Sequence, residues 1–508
     1  MMLVSLIGAG PGDPGLLTLK GRDALASANV IIFDALANEK LLSICNKQAE
    51  KIYVGKIADQ HALPQDEINR LLVKKARENN GQHVARLKGG DPFIFGRGGE
   101  EAEYLRDHDI PFEVIPGISS AIAVPTYAGI SLTHRGYASS LTILTGHENP
   151  EKKQSSHNWK ALVKSNATLV FVMGMKNLGF IVKSLMDAGM QADMPAAVIY
   201  RGTTPFQKSV FSTLSALEKA VSDAGLTNPA LIVIGKVVAL APKLSWFEKK
   251  PLLGRNIIVT RATEQASGLR DSLENLGANV IQCPVIKIVP IKDYAMLDEA
   301  IERLNKYDWL IFTSVNGVKF FWERLFYAGR DSRALSGCKV AAIGPATANE
   351  LEERGIIADI MPKNFIAEEV AQSILDYEGK NIAGKKILVP RAAKARMILV
   401  DELAAAGAVV DVTPVYQTIA DTACGQSIEQ LIRENRIDCI TFASSSTVKN
   451  FLDLIPSSLL LEHPSVKLAA IGPITANALK ENGLSAAIMP SSFTIPALVK
   501  AITGYFEK

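Results

Sequence analysis

Cysteine is scarce: the 508-residue chain has five, at Cys45, Cys283, Cys338, Cys424 and Cys439. They are odd in number, far apart, form no CxxC and join no Cys/His cluster. That argues against a disulfide framework or a structural zinc site and fits a reducing cytosol. Seven histidines are present, and His61, His134 and His147 show no metal-ligand spacing, so no metal site is expected. Excess charge is lacking too: 55 Lys and Arg face 52 Asp and Glu, a formal charge of +3. This excludes a general nucleic-acid or membrane-surface binder and leaves room for a local basic site. Aromatics are 6% of residues. With so many Ala, Val, Ile and Gly, the mix suits small-residue helices on buried parallel strands better than an all-β sandwich. The longest uncharged run, 114–133, is broken by Pro116, Gly117, Pro125 and Gly129 and reads as a loop and a small-residue helix, not a membrane span. The start, MMLVSLIGAG, has no basic stretch before its apolar run, so no secretory leader is expected.

What is present is ordinary globular composition, 48% apolar and 21% charged, in a length that calls for three or four domains. In the first half, short apolar runs alternate with amphipathic stretches. Strands are expected at 3–8, 30–34, 51–55, 83–89, 168–173, 196–201 and 231–236, with helices such as 65–79 and 100–108 between them. Alternating strand and helix signals an α/β class. The character changes at SWFEKKPLLGRN, and an interdomain linker is placed at 243–253.

The second half is an internal duplication. GRNIIVTRATEQASGLRDSLENLGANVIQCPVIKI (254–288) aligns with GKKILVPRAAKARMILVDELAAAGAVVDVTPVYQT (384–418). IFTSVNGVKFF (311–321) aligns with TFASSSTVKNF (441–451), and AAIGPATANELEERG (341–355) with AAIGPITANALKENG (469–483). The order is kept, so one α/β module occurs twice.

Three glycine-rich segments carry the chemistry of the first half. GAGPGDPGLLTLKG (8–21) follows a strand, yet it fails as a dinucleotide fingerprint: the third glycine is Asp13, and Pro11 and Pro14 remove two N–H donors. Asp34, at the next strand end, only mimics a ribose-binding acid. RLKGGDPFIFGRGGEEA (86–102) lacks the GK[ST] of a P-loop. Its Gly89 and Gly90 permit close backbone approach to a ligand, Asp91 offers an acceptor, and Pro92 and Phe93 offer an apolar wall for an adenine or a thioether. VIPGISSAIAVPTYAGISLTHRGYASS (114–140) adds small residues that allow close packing, ending in Thr133, His134 and Arg135.

Together with VGK (54–56), MGM (173–175), AAVIYRGTTPFQ (196–207) and NPALIVIG (228–235), these segments resemble uroporphyrinogen-III C-methyltransferase, in that family's order and over residues 1–240. The resemblance implies a two-lobed tetrapyrrole methylase fold that binds S-adenosylmethionine between its lobes. It maps cofactor contacts onto Pro11, Gly89, Gly90, Asp91, Ile94, Ser119, Ser120, Met173 and Gly202. Acid/base roles fall on Asp34 and Lys56, and substrate contacts on Arg97, Glu100 and Arg135. FDALAN around Asp34 departs from the family's usual YDxLV. The bland readings are a turn cap for Asp34, a surface lysine for Lys56, core packing for Met173 and structural ion pairs for Arg97 and Arg135. The resemblance also implies a homodimer through this half.

TSVNGVKFF, AAIGPATANEL, VYQT (415–418), TFASSSTVKNF and AAIGPITANAL are similar to uroporphyrinogen-III synthase, over residues 254–508. That family has two α/β modules, flavodoxin- or Rossmann-like, joined by a two-stranded hinge. The expected division is 254–286 plus 419–508 for one module and 289–416 for the other, with PVIKIVP and VTPVYQT as the crossings. Candidate groups for holding a polyanionic substrate are Thr313, Ser314, Asn316, Thr347, Ser444, Ser445, Ser446, Thr447, Thr475, Arg261 and Arg391, with Tyr416 as acid. Thr347, Thr475 and the serine run read equally well as helix caps.

The resemblances together imply a cytoplasmic bifunctional enzyme. Residues 254–508 would close hydroxymethylbilane to uroporphyrinogen III, and residues 1–242 would methylate it twice to precorrin-2, without metal, nucleic acid or membrane. A synthase-like half that only binds a ligand, and a nicotinamide-dependent dehydrogenase, are the competing readings.

Overall fold

The computed structural model describes residues 3–55, 63–78, 83–147, 157–261, 263–364, 367–379 and 381–507. The chain divides into two compact units. The first comprises Met1–Arg255 with Leu273–Asn279 and Phe506–Lys508, and the second comprises Asn256–Ser272 and Val280–Tyr505.

The first unit has two sheets. One holds β1 (Leu3–Gly8), β2 (Val30–Phe33), β3 (Glu50–Tyr53), β4 (His83–Lys88) and β5 (Phe112–Ile115) in the order β3-β2-β4-β1-β5, all parallel. A parallel sheet is covered by helices on both faces, so its inner strands read as unbroken apolar runs. β2 is buried throughout. The second sheet orders β6 (Leu141–Thr145), β7 (Thr168–Val172), β8 (Pro195–Tyr200), β9 (Lys208–Thr213) and β10 (Ala230–Ile234) as β6-β7-β10-β8-β9. Here β10 runs antiparallel to both β7 and β8, so those two point the same way.

The stretch placed as a linker packs onto this unit. Phe247 and Leu252 are buried, and the rings of Trp246 and Phe247 pack at a tilt against Tyr127.

The second unit also has two sheets. β11 (Asn256–Val259), β12 (Asn279–Gln282), β18 (Cys439–Phe442) and β19 (Lys467–Ala470) form the order β12-β11-β18-β19. β13 (Ile286–Pro290), β14 (Trp309–Phe312), β15 (Lys339–Ala342), β16 (Lys386–Ala392) and β17 (Val409–Ala420) form the order β13-β17-β16-β14-β15. β17 is long enough for two partners. Its first half runs parallel to β16, and its second half pairs antiparallel with β13, from Tyr416 opposite Pro290 to Ala420 opposite Ile286. These two strands are the expected hinge, and the mixed α/β class holds in both units.

The duplication is visible in backbone angles. Ser314 and Ser444 cap their helices with φ of −167° and −163°, and Gly344 and Gly472 cap theirs at −173° and −171°.

One expectation needs correction. Cys283 and Cys424 form a disulfide with Cα atoms 5.6 Å apart. Their separation of 141 residues hid the proximity. Cys283 directly follows β12 and Cys424 caps the helix Gly425–Arg433 that follows β17, so the pair lies at one end of the two crossing strands, within one core. Cys45, Cys338 and Cys439 are free. Among the described residues no helix is long and apolar enough to cross a membrane, and no cluster of metal-ligating side chains occurs.

Candidate functional site

In the first unit the glycine loops meet where β1 and β4 end. Gly10 and Gly90 exchange backbone hydrogen bonds of 3.2 and 2.8 Å, and Ala9 N–H donates to the Lys88 carbonyl at 2.7 Å. A Cβ on Gly117 would lie 2.3 Å from the Gly90 oxygen, and one on Gly8 would lie 2.4 Å from Gly117 Cα. Gly8 and Gly117 thus leave no room for a methyl group, and Gly90, at φ of 70°, holds a backbone conformation that favours glycine.

Asp91 ties the arrangement together. Its Oδ1 accepts from the N–H groups of Phe93 (2.8 Å) and Ile94 (3.2 Å), and its Oδ2 from Gly117 (3.0 Å). It therefore builds the loop, with spare acceptor capacity left on Oδ2. Ser119 caps the helix Ser120–Tyr127. Phe93, Ile94, Phe95 and Leu36 are left exposed as an apolar rim.

The second sheet supplies Met173 and Gly202, which follow β7 and β8 at the same end of that sheet. Met173, Arg201 and Thr203 all have positive φ, at 56°, 44° and 66°. Residues held in this sparsely populated region cost free energy and cluster at functional sites. A Cβ on Gly202 would lie 2.3 Å from Val124 Cγ1. Asp13 N–H donates to Thr203 Oγ1 at 3.2 Å, and Tyr127 Oη donates to Asp13 Oδ2 at 2.8 Å, so the first glycine loop is fastened to both sheets' elements.

Asp34 lies beside this cradle: a Cβ on Gly89 would lie 2.5 Å from Leu36 Cβ, two residues on. Asp34 Oδ1 accepts from Leu36 N–H at 3.1 Å and Oδ2 from Arg86 Nη2 at 3.1 Å. Arg86 is buried, and its other guanidinium N–H groups reach Glu101 and the carbonyls of Ile32 and Leu87. Lys88 Nζ donates to the same Glu101 Oε1 at 2.7 Å. Burial, reinforced by the Arg86 charge and opposed by Glu101, holds the Lys88 ammonium below the usual lysine range. Arg97 and Glu100 form a two-pronged ion pair at 2.9 and 2.7 Å on the surface.

The structure thus brings together Gly89, Gly90, Asp91, Ile94, Ser119, Ser120 and Asp34, with Pro11 in the first glycine loop, and sets Met173 and Gly202 at one end of the second sheet. Arg135 sits in the exposed turn before β6. Lys56 lies outside the described residues.

In the second unit, Ser314 Oγ and Tyr416 Oη are 3.1 Å apart, and Ser314 also accepts from Gly317 N–H. Tyr416 is buried and stacks on Phe320. Arg391, which ends the neighbouring strand, is buried too, and desolvation lowers its pKa, opposed by Tyr416. Burial likewise lowers the pKa of Arg261, after β11.

Thr347 and Thr475 are buried in the first turns of their helices, and Gly344 and Gly472 hold the cap positions, so the reading of these threonines as caps is wrong. Ser444 and Thr447 do form a reciprocal capping box, and Ser446 bonds Ser444 at 2.9 Å, which commits these hydroxyls locally. Ser445 stays exposed and Thr313 half-buried.

The family profile of Tetrapyrrole (Corrin/Porphyrin) Methylases matches residues 3–218, and that of Uroporphyrinogen-III synthase HemD matches residues 267–500. The porphyrin biosynthesis protein HemD of Ruminiclostridium josui is 39% identical over 496 residues, 98% of this chain and 96% of that protein. The chain belongs to this HemD-type family of fused methylases and synthases. A uroporphyrinogen-III C-methyltransferase of Bacillus subtilis (strain 168) is 50% identical over 247 residues, 49% of the fusion and 95% of that protein. A crystal structure of uroporphyrin-III C-methyl transferase from Thermus thermophilus, complexed with S-adenyl homocysteine, is 37% identical with a TM-score of 0.40, covering 46% of the fusion and 98% of that chain.

Sequence reasoning missed Arg86, Lys88 and Glu101 in the fusion's methylase unit. A signal was present. Arg86 and Lys88 are two apart in HVARLK, so they share a face of a strand that must be buried on both sides. Charges there need a buried partner.

Proposed function

We propose that this fusion carries out two consecutive steps of tetrapyrrole biosynthesis. Residues 254–508 close hydroxymethylbilane to uroporphyrinogen III, and residues 1–242 methylate that product twice to precorrin-2. The observation that carries the methylase reading is the three-glycine contact of Gly8, Gly90 and Gly117 beside Asp34. It leaves open backbone and an apolar rim where an adenosyl group and a thioether would pack.

These residues fit S-adenosylmethionine, which supplies an electrophilic methyl group when bound. Gly89, Gly90 and Gly202 let the ligand approach the backbone, Ile94 and Met173 cover its apolar parts, and Ser119 and Ser120 offer polar contacts. Asp34, held by Arg86, takes the proton that the methylated ring carbon must lose. Lys56 is proposed as the accompanying acid. Arg97 and Arg135 are proposed to meet substrate carboxylates, because a guanidinium matches a carboxylate with two parallel hydrogen bonds. For Arg97 this requires Glu100 to yield its place.

In the synthase unit, Tyr416 is proposed to protonate the departing hydroxyl, with Ser314 fixing the phenol. Arg391, Arg261, Thr313, Thr347, Thr475, Ser444 and Ser445 are proposed to hold the carboxylates.

Incubating the full chain with hydroxymethylbilane and S-adenosylmethionine should yield the type III isomer carrying two added methyl groups. If the bilane gives only the type I isomer while added uroporphyrinogen III is methylated, the second unit is a ligand-binding module. A homodimer is proposed, to be read as twice the chain mass by light scattering. A cytoplasmic location is proposed as well. A reducing cytoplasm would open the Cys283–Cys424 disulfide, so alkylation in rapidly quenched and denatured cells should label all five cysteines.

A further inference from the structure

The helix Gly98–Asp107 presents two adjacent carboxylates in opposite directions. Glu100 points outward to Arg97. Glu101 is wholly buried, with no exposed surface. Its Oε1 accepts from Arg86 Nε at 3.1 Å, Lys88 Nζ at 2.7 Å and Gln65 Nε2 at 3.2 Å. Its Oε2 has no hydrogen-bond partner among the described residues. A fully buried carboxylate with one idle oxygen is costly to retain, and packing alone would favour an apolar residue here.

The arrangement makes sense as a unit of four. Two cations, Arg86 and Lys88, sit between two carboxylates, Glu101 below and Asp34 at the site, so the cluster carries no net charge. Arg86 is fixed at Nε by Glu101 and at Nη1 by the carbonyls of Ile32 and Leu87, which leaves Nη2 to aim at Asp34 Oδ2. We infer that Glu101 is a positioning residue for proton removal by Asp34, acting through Arg86. The inference rests on the reading of Asp34 as the base.

Without the negative charge of Glu101, the two buried cations face Asp34 alone. The pull of both cations on its carboxylate is then unopposed. Arg86 also loses the partner that sets its rotation. Neither effect touches the glycine cradle.

The test is a double-mutant cycle on the full chain, following methylation of added uroporphyrinogen III with Glu101→Gln, Asp34→Asn and both together. Glu101→Gln should lower kcat about 100-fold, the scale set by misplacing a reacting group. The KM for S-adenosylmethionine should stay within about twofold, since the cofactor contacts lie elsewhere. The double variant should be no slower than Asp34→Asn, because a residue that works through Asp34 has nothing left to lose. Wild-type kcat in Glu101→Gln overturns the inference, and so does a double variant whose losses multiply. If Asp34→Asn keeps wild-type kcat, the base assignment itself fails, and any loss in Glu101→Gln then comes by another route. Should Glu101→Gln not fold, as judged by binding of S-adenosylhomocysteine, Glu101→Asp keeps the charge, shortens the reach and runs through the same cycle.

Discussion

Gly117 shows how little freedom the cofactor cradle has. Its missing Cβ would lie 2.3 Å from the Gly90 oxygen and 2.6 Å from Gly8 Cα, both backbone atoms of strand-anchored loops. Gly117→Ala should therefore cost about 1–3 kcal/mol of stability, as overpacking does. It should also weaken S-adenosylhomocysteine binding by at least about tenfold, as one misfitting contact can, and calorimetry on the full chain checks this. His83 offers a residue-scale pH test. Its ring lies between Ser5 Oγ (2.8 Å) and Ser27 Oγ (3.1 Å), and burial depresses its pKa below 6.5, against a smaller opposing pull from Glu113. Below pH 6.5 the unfolded chain takes up a proton that the folded chain resists. The stability tied to His83 is thus intact above 6.5 and lost as pH falls through that value toward the folded-state pKa. The Tm of wild type should fall faster than that of His83→Gln between about pH 7 and pH 5. Parallel curves would remove His83 from the account.

At the scale of elements, the two copies of the synthase module make an internal control. Ser314 and Ser444 cap equivalent helices with nearly the same backbone angles. Each changed to Ala should cost about 1 kcal/mol of stability, the usual worth of an N-cap. Only Ser314 also touches Tyr416 Oη, so Ser314→Ala should slow ring closure several-fold more than Ser444→Ala does, given that one neutral hydrogen bond contributes about 1 kcal/mol. Equal effects on turnover would separate Ser314 from the chemistry. Elements also show where sequence reading stops. The glycine loops were legible because a tight backbone contact leaves glycine as its mark at Gly8 and Gly117, and a left-handed turn does so at Gly90. The capping box at Ser444 was legible because it is local. The Asp34–Arg86–Glu101 chain was not, since it joins a strand end, a neighbouring strand and a helix, and pairing order must be known before those side chains can be seen to meet. The disulfide was missed for the same reason.

At the scale of the whole molecule, each activity is proposed to depend on residues of one unit. Asp34→Asn should lower methylation by about 100-fold or more, the contribution typical of a general base, and leave ring closure unchanged. Tyr416→Phe should lower ring closure by about 100-fold and leave methylation of added uroporphyrinogen III unchanged. Product chromatography on each variant reads both rates in one assay. A variant that loses both activities while staying folded would mean that the units are coupled.

The order of the strands in the second unit has a consequence for synthesis on the ribosome. β11 (256–259) finds its neighbour β18 only when residues 439–442 have been made, whereas β13 to β17 are complete by residue 420. The nascent chain therefore finishes the inserted five-stranded sheet first and carries Ile257, Ile258 and Val259 with one edge open throughout that interval. An open strand edge is a template for pairing with other chains. Slow translation between β17 and β18 should thus be the interval in which this protein most needs a chaperone, a vulnerability set by strand order rather than by the stability of the finished fold.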